Sequence, residues 1–122
     1  MSHRFGPDVR LRSRSEFDVV QRQGRRVATP LLVMLARPNQ LDRDRLGIIA
    51  SRKLGTAVVR VRAKRRLREI FRTRGRGTIA PAAGALDLVV IPRREMIRAP
   101  YASVRSTFAA ALERLRRDGA RS

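Results

Sequence analysis

The chain of 122 residues contains no cysteine, no tryptophan and a single histidine, His3. Without cysteine there can be no disulfide, no thiolate metal site and no cysteine nucleophile. His3 lies close to the chain end and has no second histidine to work with, so neither histidine-based acid–base catalysis nor a histidine-ligated metal is predicted. These absences favour a binding role for this chain over a catalytic one.

Acidic residues are scarce as well, with 10 Asp and Glu against 29 Lys and Arg and a net charge of +19. Of the basic residues 27 are arginine, whose planar guanidinium binds phosphate through two parallel hydrogen bonds. Such a charge predicts an anionic partner, either a nucleic acid or an anionic membrane surface. No spacing of carboxylates pairs a general acid with a general base, so we predict no catalytic residue on this chain.

Asp42 and Asp44 stand two residues apart in a polar segment, which suggests a divalent-cation site at first sight. Arg43 and Arg45 are interleaved with them. We therefore predict a solvated loop in which these charges pair locally, and no metal site.

Long hydrophobic runs and aromatic residues are also few. The longest apolar run, 86–92, is interrupted by Asp87, and no apolar segment of signal-peptide length occurs near Met1, so we expect a soluble, cytoplasmic protein. Five aromatic residues are too few for a multi-base stacking surface. The length predicts one domain over residues 11–116, with flexible segments at 1–10 and 117–122.

Local patterns predict the order of elements. Ser13 and Glu16 have capping-box spacing and start a short helix that ends at Gly24. Two apolar runs, 27–37 and 46–51, predict an antiparallel hairpin in which Pro30 lies at an edge or bulge. The segment 74–85 is predicted to be a loop.

Two further elements complete the chain. The run 86–92 predicts a third strand, and Pro100 begins a last helix. The buried stripe of that helix is predicted to be Tyr101, Val104, Phe108, Leu112 and Leu115. The order αββαβα predicts an α+β fold, a single two-layer α/β sandwich with helices packed on a small mixed sheet. A strand–helix–strand unit of this kind is normally a right-handed crossover.

The segment 51–72 is the most informative part of the chain, because it carries nine basic residues and one acid, Glu69. At the helical period its apolar residues form an arc of about 120°, and the basic residues occupy the remainder. We predict a helix over 56–73 with one face on the core and the other against a polyanion. Val61 falls within the basic face. The apolar arc contains Val59, Ala63, Leu67, Ile70 and Phe71.

The same segment resembles the signature of the protein subunit of bacterial ribonuclease P. The order of elements over roughly residues 11–116 matches that family as well. The matching positions are Ser51, Arg52, Lys53, Gly55, Ala57, Val58, Arg60, Arg62, Lys64, Arg65, Arg68 and Glu69.

The resemblance implies an accessory subunit of an endoribonuclease, working in the cytoplasm. Its catalytic RNA, with Mg²⁺ on the RNA, would remove the 5′ leader of precursor tRNA, and one RNA would pair with one protein. The fold would contain an unusual left-handed βαβ crossover. A cleft between the first helix and the sheet would hold the leader, involving Phe17, Leu35 and Arg12. Contacts to the catalytic RNA would come from Arg52, Lys53, Arg60, Arg62, Lys64, Arg65, Arg66 and Arg68.

The chain departs from the family pattern at two places. Val61 stands where the family usually has asparagine, and it offers no amide for hydrogen bonding. Gln21 and Leu35 align with positions where relatives often have aromatics, so leader binding here would depend more on charge and shape. Alternatives that the residues leave open are a ribosomal RNA-binding protein, a stand-alone nuclease and a DNA-binding module.

Overall fold

The computed structural model describes residues 10–74 and 84–120 of the chain, with side chains up to residue 117. Over these ranges the chain forms one four-stranded mixed sheet with helices packed on it, which confirms the predicted α+β class. The elements in chain order are α1 (Arg14–Gln23), β1 (Arg25–Ala28), β2 (Leu32–Pro38), β3 (Arg45–Ile48), a 3-10 helix (Arg52–Leu54), α2 (Ala57–Thr73), β4 (Leu86–Pro92), α3 (Arg94–Arg98) and α4 (Tyr101–Ala120).

The apolar run 27–37 contains two strands, although the sequence predicted one. Thr29 ends β1 because its hydroxyl donates to the Leu32 carbonyl at 2.7 Å and accepts from the Leu32 amide at 3.0 Å. Pro30 follows and has no N–H to offer a strand ladder. β1 and β2 consequently form a tight antiparallel hairpin in which Val27 pairs with Met34.

The hairpin predicted between the runs 27–37 and 46–51 is wrong, because β4 lies between β2 and β3. The strand order is β1-β2-β4-β3, with β4 antiparallel to β2 and parallel to β3. In this central position the apolar run of β4 is covered on both faces and paired on both edges. The β3–α2–β4 unit is the predicted parallel crossover, and its left-handedness remains a prediction from the resemblance.

Side-chain alternation along the strands divides the interior into two cores. On one sheet face, Leu32 and Met34 of β2 and Leu88 of β4 pack with α2, α3 and α4 in the main core. On the other face, Val33 and Val89 pack with α1 in a smaller core. α1 thus adds a third layer, on the second face of the sheet, to the predicted two-layer arrangement.

α4 begins after Pro100, whose carbonyl accepts hydrogen bonds from the Ser103 and Val104 amides. Its predicted stripe is buried except for Tyr101, which is 38% exposed. The helix continues to Ala120, past the predicted domain end at residue 116. Parts of three predicted segments lie outside the described residues. They are residues 1–9 of the N-terminal segment, residues 75–83 of the loop and residues 121–122 of the tail. α3 was not predicted.

Asp44 departs from the prediction of a solvated, locally paired loop. Its carboxylate is only 7% exposed; it accepts the Leu86 amide at 2.8 Å and pairs with Arg74 at 3.2 Å and with Arg116. It therefore joins the ends of α2 and α4 to the start of β4. Asp42 behaves as predicted, since it is 83% exposed and pairs with Arg43 at 3.2 Å.

Candidate nucleic-acid interface

α2 positions the basic residues, and its own sequence determines where it begins. Gly55 has a φ of 152°, which favours glycine, and the Thr56 hydroxyl then caps the helix by accepting the Val59 amide at 3.3 Å. The predicted apolar arc faces the core: Ala63, Leu67, Ile70 and Phe71 are at most 2% exposed, and Val59 is half-buried. Burial of each large side chain stabilises the fold by about 1.5–3 kcal/mol, which fixes the rotation of α2.

The opposite face of α2 presents its basic residues to solvent. Arg62 and Arg65 are exposed, as are Arg52 and Lys53 in the 3-10 helix that precedes α2. Val61 is 51% exposed among them, as the angular spacing predicted. Three further predicted contacts, Arg60, Lys64 and Arg68, are half-buried along the margins of this face. We call these seven basic residues the α2 basic face.

An open surface pocket lies on this face, lined by Val61, Arg65, Arg68, Glu69 and Arg72. Arg72 donates to Glu69 at 2.6 Å, and this hydrogen bond lowers the pKa of the glutamate. The negative charge of Glu69, the one acid on this face, is thereby balanced by Arg72, while Arg65 stays exposed. Partial burial lowers the pKa of Arg68, and the nearby charge of Arg10 adds to the shift. The pocket is chemically suited to an anion.

Arg66 differs from the other predicted RNA-binding residues because it is already engaged within the fold. Its guanidinium donates to the Met96 carbonyl at 3.2 Å and to the Ala99 carbonyl at 2.9 Å, at the end of α3. It is also half-buried. The structure therefore places Arg66 at the contact between α2 and α3, which helical spacing alone did not reveal.

A second site candidate lies on the other sheet face, where α1 crosses the strands. The Phe17 ring packs directly over Gly47, since a Cβ added at Gly47 would lie 2.5 Å from the ring. Phe17 is half-buried, so it belongs partly to the small core and partly to the surface. The predicted residues Phe17 and Leu35 are brought to the same sheet face, whereas Arg12 is exposed just before α1.

Leu35 is only 6% exposed and forms part of the floor beneath α1. The accessible part of this face lies beside it. Ile49 and Ile91 are half-buried and pack on the small core, and Arg26 pairs in register with Leu35 from the edge strand β1. These three residues could not be predicted from the sequence, because only the pairing of the strands brings them to one face.

An ion-pair network ties α1 to the sheet near these residues. Arg45 of β3 donates twice to Asp87 of β4, at 2.8 Å each, and once to Glu16 of α1, at 3.0 Å. Glu16 also completes the predicted capping box by accepting the amides of Arg12 at 2.8 Å and Ser13 at 3.0 Å. These backbone hydrogen bonds, assisted by Arg45, lower the pKa of Glu16.

The part of the chain that the structure describes offers neither a metal centre nor a helix that could span a membrane. Within residues 10–74 and 84–120, no group of three or more His, Cys, Asp or Glu residues is placed to hold a metal ion. Over the same ranges, no helix is long and apolar enough to cross a bilayer. The two features that stand out are the α2 basic face and the surface beside α1 formed by Phe17, Ile49, Ile91 and Arg26, which we call the α1 cleft.

Comparison with known proteins identifies relatives that share this arrangement. The family model described as Ribonuclease P matches residues 5–116. The ribonuclease P protein component of Thermotoga maritima is 41% identical over 96 residues, covering 79% of each chain. The corresponding protein of Erythrobacter litoralis is 38% identical over 108 residues, covering 87% of this chain and 84% of its own.

Solved structures agree with these matches. The RNase P protein from Thermotoga maritima has a TM-score of 0.72 at 38% identity, covering 88% of this chain and 96% of its own. A mutant of the Staphylococcus aureus RNase P protein, described as defective in mRNA degradation activity, has a TM-score of 0.76 at 28% identity, covering 87% and 86%. The chain therefore belongs to the ribonuclease P protein family, as a subunit of an endoribonuclease that acts in tRNA processing.

Proposed function

We propose that this subunit binds the catalytic RNA of ribonuclease P through the α2 basic face. The observation that carries the proposal is the division of α2 into a buried apolar face and an exposed basic face whose one acid, Glu69, is paired with Arg72. Because the apolar face is fixed on the core, Arg62 and Arg65 are held outward before any RNA binds. Preorganised arginines of this kind screen phosphate repulsion and bind phosphate bidentately.

The α1 cleft is proposed to hold the single-stranded 5′ leader of precursor tRNA. Half-buried Phe17, Ile49 and Ile91 supply an apolar surface on which a base can rest, and Arg26 and Arg12 supply charge for the backbone. Leu35 supports the floor beneath α1. With one aromatic ring in the cleft, binding of the leader depends mainly on charge and shape.

In this proposal the protein does not cut the phosphodiester bond. Mg²⁺ bound to the catalytic RNA would supply the Lewis acid, and the protein's contribution is to bring the two RNAs together. One protein pairs with one RNA in the cytoplasm. The chain's own residues hold substrate and RNA, with no catalytic group among them.

The RNA-binding proposal is tested with single variants and matched controls. Arg62→Ala and Arg65→Ala should each weaken binding of the catalytic RNA at physiological salt. Arg14→Ala and Arg22→Ala remove the same charge from exposed positions of α1, across the sheet, and should leave that binding near wild type. Equal affinities for all four variants and wild type would contradict the proposed interface.

The leader proposal has a separate readout, the ratio of affinities of the reconstituted enzyme for precursor and mature tRNA. Phe17→Leu and Arg26→Ala should lower this ratio, because only the precursor carries a leader. Arg65→Ala should weaken both affinities and leave the ratio unchanged. A wild-type ratio in Phe17→Leu and Arg26→Ala would place the leader elsewhere.

A reaction with protein alone separates the accessory role from that of a stand-alone nuclease. Because mRNA degradation is the activity in which the Staphylococcus aureus mutant is defective, this reaction should include an mRNA as well as precursor tRNA. We expect no cleavage of either RNA with Mg²⁺ until the catalytic RNA is added. Cleavage by purified protein alone would contradict the accessory role.

A further inference from the structure

The exposed arginines around α3 form a basic surface that the family resemblance did not include. Arg93, Arg94 and Arg98 are all exposed, and one acid, Glu95, lies within the same six residues. Met96, between them, is fully buried in the main core, so the short helix is fixed with its polar side outward. Three arginines held close together repel one another, and a bound anion would offset that repulsion.

Two contacts determine where this surface lies relative to the α2 basic face. Arg94 Nε donates to the Lys53 carbonyl at 3.0 Å, which places α3 beside the 3-10 helix that precedes α2. Arg66 donates to the Met96 and Ala99 carbonyls, which fixes the end of α3 beside the middle of α2. α3 is thus held along one flank of α2 at both of its ends.

This flank of α2 carries exposed residues of the α2 basic face. Arg66 lies about 40° from Arg62 around the α2 axis, so α3 borders the side of α2 on which Arg62 is exposed. Arg94 and Arg98 are four residues apart and therefore share a side of α3. Arg94 donates to the Lys53 carbonyl, so its end of α3 lies beside the 3-10 helix that carries Arg52 and Lys53. Arg93 directly precedes Arg94 and is exposed at the same end of α3.

We propose that Arg93 and Arg98 extend the α2 basic face and bind phosphates of the same RNA. This inference rests on the proposed function, since it requires RNA on α2. Arg94 has a different role, because its Nε is occupied by the Lys53 carbonyl and holds α3 in position. The ligand chemistry is the phosphate backbone, so the contribution is independent of RNA sequence.

The test measures the affinity for the catalytic RNA as a function of salt for four proteins: wild type, Arg93→Ala/Arg98→Ala, Arg62→Ala/Arg65→Ala, and the control Arg14→Ala/Arg22→Ala. Each double variant removes two charges from exposed positions, and thermal melting verifies that each is folded. In Arg93→Ala/Arg98→Ala, loss of two phosphate contacts should make the negative slope of log affinity against log salt shallower by about 2. The control should keep the wild-type slope.

The outcomes separate the two claims. If the Arg93→Ala/Arg98→Ala slope equals that of the control while Arg62→Ala/Arg65→Ala is reduced, the α3 inference is wrong and the proposed function stands. If neither of these two double variants changes the slope, both the proposed function and the α3 inference are wrong. A reversal of charge, Arg98→Glu, provides a second measure and should weaken binding more than Arg98→Ala.

Discussion

Arginines that look equivalent in the sequence have different roles on α2. Arg62 is exposed, whereas Arg66, one helical turn later, is half-buried and hydrogen-bonded to the Met96 and Ala99 carbonyls. The sequence placed both on the basic face, because helical spacing gives direction but not what lies in that direction. The neighbour of Arg66 is α3, a short element without a periodic signal.

Replacement of Arg66 by alanine should therefore affect folding as well as binding. Loss of its hydrogen bonds to two carbonyls is expected to lower the free energy of unfolding by about 2 kcal/mol. Arg62→Ala should change it by no more than about 0.5 kcal/mol, as is usual at the surface. Urea unfolding of the two variants measures the difference, and equal midpoints would contradict the positioning role of Arg66.

The two aspartates of the β2–β3 segment offer a second comparison between matched residues. Asp44 is buried with Arg74 and Arg116, and Asp42 is exposed with Arg43. Asp44→Ala should lower the free energy of unfolding by about 3 kcal/mol, because it removes the carboxylate that faces Arg74 and Arg116, which are both largely covered. Asp42→Ala should cost less than about 1 kcal/mol. Calorimetric melting distinguishes them; similar losses would mean that the buried cluster does not fix the fold.

At the scale of elements, α1 is held by a polar network in addition to its small core. Arg45 links Asp87 of the sheet to Glu16 of the helix, so an ionised Glu16 helps to hold α1 on the sheet. The capping box was evident from the spacing of Ser13 and Glu16. The link to Arg45 was not, because it joins residues that only the fold brings together.

This network predicts a specific response to acid. The folded-state pKa of Glu16 lies below its unfolded value, so its ionised form stabilises the fold above the ordinary pKa of about 4.3. That stabilisation is lost as the pH falls through the lowered pKa. Between pH 6 and pH 3 the melting temperature of wild type should therefore fall more than that of Glu16→Gln. Glu113→Gln, at an exposed position of α4, should fall like wild type, and parallel curves for all three would contradict the prediction.

The elements that sequence could predict are those with local signals. α1 has a capping box, α2 has a two-faced pattern between Thr56 and Thr73, and β4 is a compact apolar run. The strand order could not be predicted, because β4 inserts between β2 and β3 from much later in the chain. The turn at Thr29 was missed because the apolar residues on both sides of it read as one strand.

At the scale of the molecule, three of the acids lie within the fold, whereas many of the arginines are exposed. Glu16, Asp44 and Asp87 are used inside the fold to join elements, each paired with arginine. They consequently neutralise little of the surface, and much of the net charge of +19 remains facing solvent. Composition alone predicted an anionic partner, and the proposal for where it binds rests on the separation of paired and exposed arginines.

The central claim is that phosphate contacts on this exposed charge hold the subunit to its RNA. The most direct measurement is the affinity of the wild-type protein for the catalytic RNA at a series of salt concentrations. For about six phosphate contacts, the affinity should fall roughly a thousandfold between 50 and 200 mM salt. An affinity that stays constant across that range would contradict the account.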